Sequence, residues 1–388
     1  MPILAASCVT AVPAENPTPS LPGAQPVRVV IDAQALSSDA AGSGIATYTG
    51  NLIGALATRL DVELVALSAS AVALPERVTR APFHRFSRTP RAELIEHAIR
   101  MPLELRRVRD DGTVFHNPVF HAPLGVRSPW VQTLHDVIPL VSSSPDVEVL
   151  RARWKRFGPR YLKADAIIAI SNHAASEGIR VLGLDPSRVH VARHGVDPSF
   201  VPGSVGPSDP PYLLVVNEFS RRKGFGEAFA VLDTLVDAGY PHRLVVVGRI
   251  HDWGREDVTK LMAAVRHPER IELREWVPDL VPIYQSASGF LMTSRYEGFG
   301  LTPLEAMACG VPVVAFSNSA VTEIVDGGGQ LVADGDVVAM VAAVRKVLDE
   351  PSCAVEWSQR GVERARAFTW AASAAIHAEV YRSVAERS

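Results

Sequence analysis

Cysteine and long apolar runs are scarce in this sequence of 388 residues. Its three cysteines, Cys8, Cys309 and Cys353, are odd in number and lie far apart, so they offer neither a disulfide framework nor a zinc-binding spacing. This pattern favours a reducing, cytoplasmic setting. No apolar run approaches the roughly 20 residues of a membrane-spanning helix. The net charge of −3 lacks the basic excess that a nucleic-acid partner would require.

The first 26 residues contain no lysine or arginine, so they lack the basic region of a secretory signal. They hold six prolines, which disfavour regular structure. We expect residues 1–26 to form a disordered leader.

Beyond this leader, apolar runs of strand length alternate with stretches of helical period, which is typical of parallel sheets covered by helices. The first half predicts six strands, at 27–32, 62–67, 113–116, 130–136, 166–171 and 189–192. The second half predicts six more, at 212–217, 243–248, 270–275, 288–293, 311–316 and 329–334. Helical stretches follow at 336–350 and from about 352 to 388.

Residues 193–212 contain five prolines and three glycines and are therefore interpreted as an interdomain linker. The expected α/β fold has two doubly wound Rossmann-like domains, at 27–195 and 196–369, facing each other across a cleft. A final helix at about 370–388 is expected to pack back onto the first domain.

The segment SRYEGFGLTPLEAMACGVPVV, at 294–314, predicts a loop followed by a short helix. Thr302 fits an N-cap, Glu305 follows three residues later as in a capping box, and Gly310 fits the end of the helix. Glu297 has no such structural explanation. Gly298 and Gly300 would leave backbone amides open beside a helix N-terminus, which suits a phosphate. The segment thus predicts a nucleotide-sugar pocket.

Two other loops that follow strands carry unusual residues. EFSRRKGF, at 218–225, places three cations before a helix, where they oppose the helix dipole and indicate a bound anion. His135 and Asp136 end a buried-looking strand of the first half. Most of the 12 histidines must be structural, but His135 lies at the strand end where ligands bind in such sheets.

Seven residues separate Glu297 from Glu305, and EGFGLTPLE resembles the E-x7-E motif of retaining glycosyltransferases of the GT4 family, which have the GT-B fold. The resemblance implies that Glu297 and the amides after it hold the donor sugar, while Glu305 binds the ribose. The donor-binding amides would belong to Gly298, Phe299, Gly300, Leu301 and Thr302.

The same resemblance extends to other loops. Arg222 and Lys223 match the family's pair that grips the donor diphosphate, although Asn217 replaces the usual preceding glycine. His135 resembles the histidine that contacts the donor sugar near the reacting carbon. Gly44 and Tyr48 match the glycine loop that meets donor phosphate and acceptor, with Ala46 and Thr47 in place of Gly-Arg. The backbone around Val277 would meet the nucleotide base.

The implied reaction moves a hexosyl group from a nucleotide-diphosphate sugar to a hydroxyl, with retained configuration and with no metal or cofactor. The acceptor would be a carbohydrate, an aminocyclitol-like molecule or a lipid-linked sugar. Two alternatives remain open: another nucleotide-sugar enzyme of this fold, such as an epimerase or phosphorylase, and a non-catalytic nucleotide-sugar-binding protein. The stretch 148–165, with six cations around an apolar stripe, fits a packed helix or a weak peripheral membrane contact.

Overall fold

The computed structural model describes residues 25–37, 43–69, 72–83, 99–120, 125–126, 129–144, 147–203, 208–251 and 254–387. Most of the predicted leader, residues 1–24, lies outside the described residues. The chain divides into two compact units. Unit 1 comprises Met1–Leu140, Val149–Gly195 and Thr369–Ser388, and unit 2 comprises Val141–Glu148 and Val196–Phe368.

Unit 1 is built on a parallel sheet in the order β3-β2-β1-β4-β5-β6-β7. Its strands are β1 (Val27–Asp32), β2 (Val62–Ser68), β3 (Val78–Pro82), β4 (Val114–Asn117), β5 (Trp130–Leu134), β6 (Ala166–Ala169) and β7 (Val189–Val191). The six predicted strands are all present, but β3 is a seventh that the apolar runs did not predict. Edge strand β3 is exposed at Thr79 and half-buried at Arg80, so it lacks a continuous apolar run.

Helices pack against this sheet because their apolar faces complete its core. In the first half of the chain they are α1 (Gly44–Ala57), α2 (Met101–Val108), α3 (Ile138–Val141), α4 (Glu148–Phe157) and α5 (Asn172–Leu182). Buried residues of α1, including Leu52 and Leu56, share one core with Val29 and Ile31 of β1 and with Ala378 and Val384 near the chain's end.

Unit 2 contains a second parallel sheet, in the order β10-β9-β8-β11-β12-β13. Its strands are β8 (Tyr212–Val216), β9 (Arg243–Val247), β10 (Ile271–Arg274), β11 (Gly289–Met292), β12 (Val313–Ser317) and β13 (Gln330–Ala333). All six lie within or one residue beyond the predicted stretches. Strands β8 and β11 are buried at every position, as expected for parallel strands covered on both faces.

The helices of the second half are α6 (Phe225–Asp237), α7 (Arg255–Ala263), α8 (Val281–Gln285), α9 (Leu301–Ala308), α10 (Ser319–Val325), α11 (Val337–Asp349), α12 (Pro351–Arg366) and α13 (Trp370–Glu386). The single helical stretch predicted from about 352 to 388 is thus two helices. The second begins where Thr369, in an extended conformation, accepts a hydrogen bond from the Ala372 amide. Helix α13 packs against α1 and belongs to unit 1.

The strand order of each sheet reverses at one point, between β1 and β4 in unit 1 and between β8 and β11 in unit 2. Ligands of doubly wound sheets bind beyond the carboxyl ends of the strands at such a point. The loops after β8 and β11 are those that carry Arg222, Lys223 and Glu297. Among the described helices, none combines the length and apolar character needed to cross a bilayer.

Candidate functional site

The loops after β8 and β11 are tied together in unit 2. Residues Arg221–Lys223 form one turn of 3-10 helix, which ends at Gly224 with φ 66°. A Cβ at Gly224 would lie 2.1 Å from the Thr293 carbonyl oxygen, so only glycine allows this approach. Thr293 Oγ1 donates to the Lys223 carbonyl at 3.0 Å, and the Arg295 amide donates to the Arg222 carbonyl at 2.8 Å.

This arrangement forms a charge cluster of Arg222, Lys223 and Glu297. Lys223 Nζ donates to Glu297 Oε1 at 2.5 Å, and Arg222 Nη1 lies 3.5 Å from Glu297 Oε2. The side chains are 8%, 17% and 13% exposed for Lys223, Arg222 and Glu297, respectively. Within the buried cluster two cations face one carboxylate, whereas a second carboxylate, that of Glu218, is 51% exposed and lies 3.9 Å from Arg222 Nη2.

Burial and charge act in opposite directions on these groups. Burial lowers the pKa of Lys223, and the neighbouring Arg222 lowers it further against the opposing attraction of Glu297. Burial by itself would raise the pKa of Glu297, but attraction to Lys223 and Arg222 outweighs it and holds the pKa below its usual value. Glu297 is therefore the ionised partner of the pair at neutral pH.

The view that Glu297 has no structural role is wrong, because it is the internal counter-ion of the two cations. Its backbone is also held: the Glu297 amide donates to Ser319 Oγ at 2.9 Å. Ser319 begins α10 with φ 42°, in the left-handed region that disfavours residues other than glycine. Only the position of Ser319 just after β12, where sheet ligands bind, could have indicated this residue from the sequence.

The capping box predicted at Thr302 is also wrong. Helix α9 begins two residues earlier than predicted, at Leu301, and its N-cap is Gly300, with φ 116° and no side-chain cap. The glycine conformation turns the chain into the helix, so no threonine cap is needed. The predicted helix end is confirmed: Gly310 has φ 76°, its amide bonds the Met307 carbonyl, and the Val311 amide bonds the Ala306 carbonyl.

Glu305 does not reach back to the start of its helix. Its Oε2 accepts a hydrogen bond of 2.8 Å from the hydroxyl of Tyr284, a fully buried residue of α8. Burial raises the pKa of Glu305 to about 7; Asp197 adds to the rise and Tyr284 opposes it. Sequence reasoning missed Tyr284, because its 21-residue separation from Glu305 carries no periodic signal.

The other expected donor residues of unit 2 lie at the same edge of the sheet. Gly298 and Phe299 join β11 to α9, with Phe299 buried against Phe368 at a ring distance of 6.1 Å. Asn217 lies buried at the end of β8, and its amide is 3.5 Å from Ser294 Oγ. Val277 is partly exposed in the loop after β10, the edge strand of the sheet.

Unit 1 holds the remaining expected site residues, Gly44 and His135. Gly44 is the first residue of α1, and Ser43 Oγ accepts the Ala46 amide as an N-cap. His135 follows β5, its Nε2 lies 2.6 Å from the Pro118 carbonyl, and its ring meets the Tyr48 ring edge-on at 5.1 Å. Because a carbonyl only accepts, Nε2 carries the proton and Nδ1 keeps the lone pair.

Beside His135 lies a buried chain of neutral groups. Burial lowers the pKa of His135 and of His377 to about 4, so both rings are neutral at neutral pH. His377 Nδ1 donates to the Ser373 carbonyl at 2.8 Å, so its Nε2 accepts from the Tyr48 hydroxyl at 2.9 Å.

The donor and acceptor of each remaining hydrogen bond in this chain of neutral groups then follow. Tyr48 accepts from the Thr133 hydroxyl at 2.9 Å, and Thr133 accepts from His116 Nε2 at 2.8 Å. His116 Nδ1 finally accepts from the Tyr381 hydroxyl at 2.7 Å. In this neutral chain of hydrogen bonds, which runs from the Ser373 carbonyl to the Tyr381 hydroxyl, each donor therefore meets an acceptor. Within the described ranges, no group of three or more His, Cys, Asp or Glu side chains could hold a metal ion.

Comparison with known proteins agrees with this architecture. The family model for glycosyl transferases group 1 matches residues 201–364, and that for glycosyltransferase family 4 matches residues 42–200. A D-inositol 3-phosphate glycosyltransferase of Catenulispora acidiphila is 34% identical over 242 residues, which are 56% of this chain and 56% of that relative. The matched region thus spans little more than half of that relative's length.

A second relative, the O-antigen chain mannosyltransferase B of Escherichia coli, is 26% identical over 292 residues, or 71% of this chain and 74% of that protein. Among solved structures, a sucrose-phosphate synthase of Thermosynechococcus elongatus superimposes with a TM-score of 0.75 at 20% identity, over 93% of this chain and 100% of the other. The Anabaena protein HepE, solved with UDP and glucose, gives 0.67 at 17% identity, over 92% and 100%.

The two parallel sheets and the superposition thus show the GT-B fold class. The chain belongs to the GT4 family of glycosyltransferases, whose two models together match residues 42–364 with no gap between them. The expected fold class and family are confirmed. The roles of the individual site residues stay predictions.

Proposed function

We propose that this protein is a retaining glycosyltransferase that moves a hexosyl group from a nucleoside diphosphate sugar to a hydroxyl acceptor without a metal ion. The observation that carries the proposal is the cluster of Arg222, Lys223 and Glu297, because it is largely buried, holds two cations beside one carboxylate and lies at the switch point of a parallel sheet. A diphosphate is the group that such a cluster would neutralise.

The cluster also suits the chemistry of the transfer. The bond between the anomeric carbon and the diphosphate oxygen breaks, and the diphosphate gains negative charge. Arg222, Lys223 and the N-terminus of α9 stabilise that charge from fixed positions, which is the most effective form of electrostatic catalysis. The acceptor oxygen forms the new bond on the face that the diphosphate leaves, and the acceptor proton passes to the diphosphate.

Glu297 has two tasks in this proposal. Its carboxylate holds Lys223 and Arg222 in place before the donor arrives, and its remaining lone pairs accept hydroxyls of the donor sugar. His135 acts as a neutral group, since its lowered pKa excludes a charged ring at neutral pH. Its Nδ1 would accept a sugar hydroxyl, and we assign it an orienting role.

The relatives indicate which nucleotide and which acceptor to test first. HepE was solved with UDP and glucose, so uridine diphosphate sugars are the first donors to test. A related enzyme is named for inositol phosphate, which makes cyclitol phosphates the first acceptors, followed by other carbohydrates and lipid-linked sugars.

The test is a turnover assay of the purified chain with a panel of nucleoside diphosphate sugars, first ranked by thermal stabilisation. We expect one nucleotide class to stabilise the protein and its sugar to be transferred at equal rates with and without EDTA. The proton coupling constant of the product's anomeric carbon should show retention. Binding without any transfer or hydrolysis would contradict an enzymatic role, and loss of activity in EDTA would contradict metal independence.

A further inference from the structure

The hydrogen bond between Tyr284 and Glu305 joins two helices of unit 2 that carry different loops of the expected donor site. Tyr284 lies in α8, which follows the loop of Val277, and Glu305 lies in α9, which follows the loop of Glu297. The Tyr284 side chain is fully buried, whereas Glu305 keeps part of its surface exposed. A buried neutral donor is thus aimed at one oxygen of a partly exposed carboxylate.

We infer that Tyr284 is a positioning residue for nucleotide binding: its hydroxyl occupies Glu305 Oε2 and thereby presents the rest of the carboxylate to the ribose hydroxyls of the donor. The inference rests on the proposed function, in which Glu305 binds the ribose. It adds the residue that orients that glutamate and favours its ionised form against the effect of burial.

The tyrosine is well suited to this role. Burial raises the pKa of Tyr284 well above its usual value, and the nearby carboxylate of Glu305 raises it further, so the phenol remains a donor across the accessible pH range. Its ring is fixed by neighbours, with Phe200 edge-on at 5.7 Å and Phe290 at 5.9 Å. A donor held this rigidly restricts the carboxylate to one orientation.

The same contact couples nucleotide binding to pH. The titratable groups that face Glu305 are Tyr284 from α8, Asp197 from the segment that begins unit 2, and Cys309 at the end of α9. On the adjacent helix α12, Arg364 instead donates to the carbonyls of Glu323 and Ile324.

With the pKa of Glu305 at about 7, its ionised form is lost as the pH falls through neutrality. Because the Tyr284 hydrogen bond lowers that pKa, removing the hydroxyl moves the transition to higher pH.

The experiment measures calorimetric affinity of the full-length protein for a nucleoside diphosphate and for its 2′-deoxy counterpart between pH 5.5 and 8.5. The ribonucleotide is the one of UDP, GDP and ADP that binds best. Both ligands carry the same diphosphate, so the ratio of their affinities isolates the ribose contact. In the wild-type protein we expect this ratio to favour the ribonucleotide above pH 7 and to fall towards one in acid.

Tyr284→Phe is the principal variant. It removes one hydrogen bond and should weaken ribonucleotide binding about fivefold to tenfold at pH 7.5, equivalent to about 1–1.4 kcal/mol, with little change for the deoxynucleotide. The midpoint of the affinity ratio should move to higher pH. In the enzyme assay KM for the donor should rise while kcat stays near its wild-type value.

Tyr212→Phe is the matched control, because the Tyr212 hydroxyl donates to the Ile283 carbonyl of the same helix α8 at 2.6 Å. It removes a comparable hydrogen bond next to α8 without touching Glu305, so the affinity ratio should not change. Identical ratios and midpoints for the two tyrosine variants would overturn the inference.

The outcomes separate this inference from the proposed function. If no nucleoside diphosphate binds the wild-type protein, the proposed function fails first. If nucleotides bind and Glu305→Gln weakens them while Tyr284→Phe does not, only the role of Tyr284 fails. Should Tyr284→Phe not fold, the wild-type protein still decides: an affinity ratio independent of pH would contradict a ribose contact at Glu305.

Discussion

The two units contain buried polar groups of opposite character. In unit 1 the chain from Ser373 through His377, Tyr48, Thr133 and His116 to Tyr381 is neutral, and each donor meets an acceptor. In unit 2 the cluster of Arg222, Lys223 and Glu297 is ionised although it is largely buried, and the further carboxylate beside Arg222, that of Glu218, is half exposed. A closed neutral network stabilises a fold, whereas a cluster of largely buried charges is costly to desolvate and is typical of a binding site.

This difference separates the histidines with structural partners from the charged residues of the proposed site. His116 is fully buried and bonded on both ring nitrogens, so its role is structural. His194 lies between the rings of Tyr48 and Trp370, at centroid distances of 4.9 and 5.4 Å. The three consecutive cations at 221–223, in contrast, include the pair that forms the cluster.

The largest expected effect is a divergence of the two units in acid. His135 and His377 have pKa values of about 4, below the unfolded value of 6.5. Their stabilisation is present above pH 6.5 and is lost as the pH falls towards 4, at roughly 3 kcal/mol per pH unit for both together. Glu305 has the opposite effect in unit 2: because its pKa is raised to about 7, its destabilising ionised form is lost as the pH falls below 7.

Hydrogen exchange, corrected for intrinsic rates, should therefore show peptides from 27–68 losing protection at a higher pH than peptides from 212–247. His267→Ala is a control, because this partly exposed histidine of unit 2 pairs with Asp237. It should leave the acid transition of unit 1 unchanged. Loss of protection at the same pH in both units would contradict the predicted difference in their acid stability.

Removing one cation of the cluster comes next in size. Lys223→Ala should lower kcat/KM about a hundredfold, equivalent to roughly 3 kcal/mol, because a preorganised donor to the diphosphate is lost. Lys260→Ala is the matched control: Lys260 also pairs with a glutamate of unit 2, Glu256, but it is 68% exposed. An equally large loss of activity in the Lys260 variant would show that Lys223 acts through general electrostatics and not through a contact with the diphosphate.

Breaking the neutral chain should affect stability without affecting the nucleotide. Tyr381→Phe leaves His116 Nδ1 without its donor, at a cost of about 2 kcal/mol. Denaturant unfolding measures this cost, and calorimetry should show unchanged nucleotide affinity. In the control Tyr240→Phe, the lost hydrogen bond to Asp349 is exposed and should cost less than about 0.5 kcal/mol. Equal losses would show that the network is not special.

The smallest effect is a gain. Glu305 has a folded pKa of about 7 against an ordinary value of 4.5, so its stabilising protonated form is lost as the pH rises between these values. Glu305→Gln should therefore stabilise the protein by on the order of 1 kcal/mol at pH 8, after allowance for partial exposure, and by nothing at pH 4.5. Thermal unfolding at both pH values measures it. A gain of equal size at pH 4.5 would contradict the raised pKa.

Much of the fold could be predicted because parallel strands buried on both faces have to be continuous apolar runs. All twelve predicted strands are present, and β3, the one missed, is an edge strand with a polar face. The start of the helix at Leu301 was misplaced by two residues, because a threonine can resemble a cap where a preceding glycine already turns the chain.

The sequence by itself determined the two sheets, the loops that follow their strands, and the residue types that those loops carry. Only the tertiary structure decided the partners. Lys223 and Glu297 are 74 residues apart and meet because β8 lies next to β11 at the reversal of the strand order. Tyr284 and Glu305 meet because the helices α8 and α9, which precede and follow β11, contact each other. Local periodicity records burial, but which loops become neighbours depends on how the whole sheet is ordered.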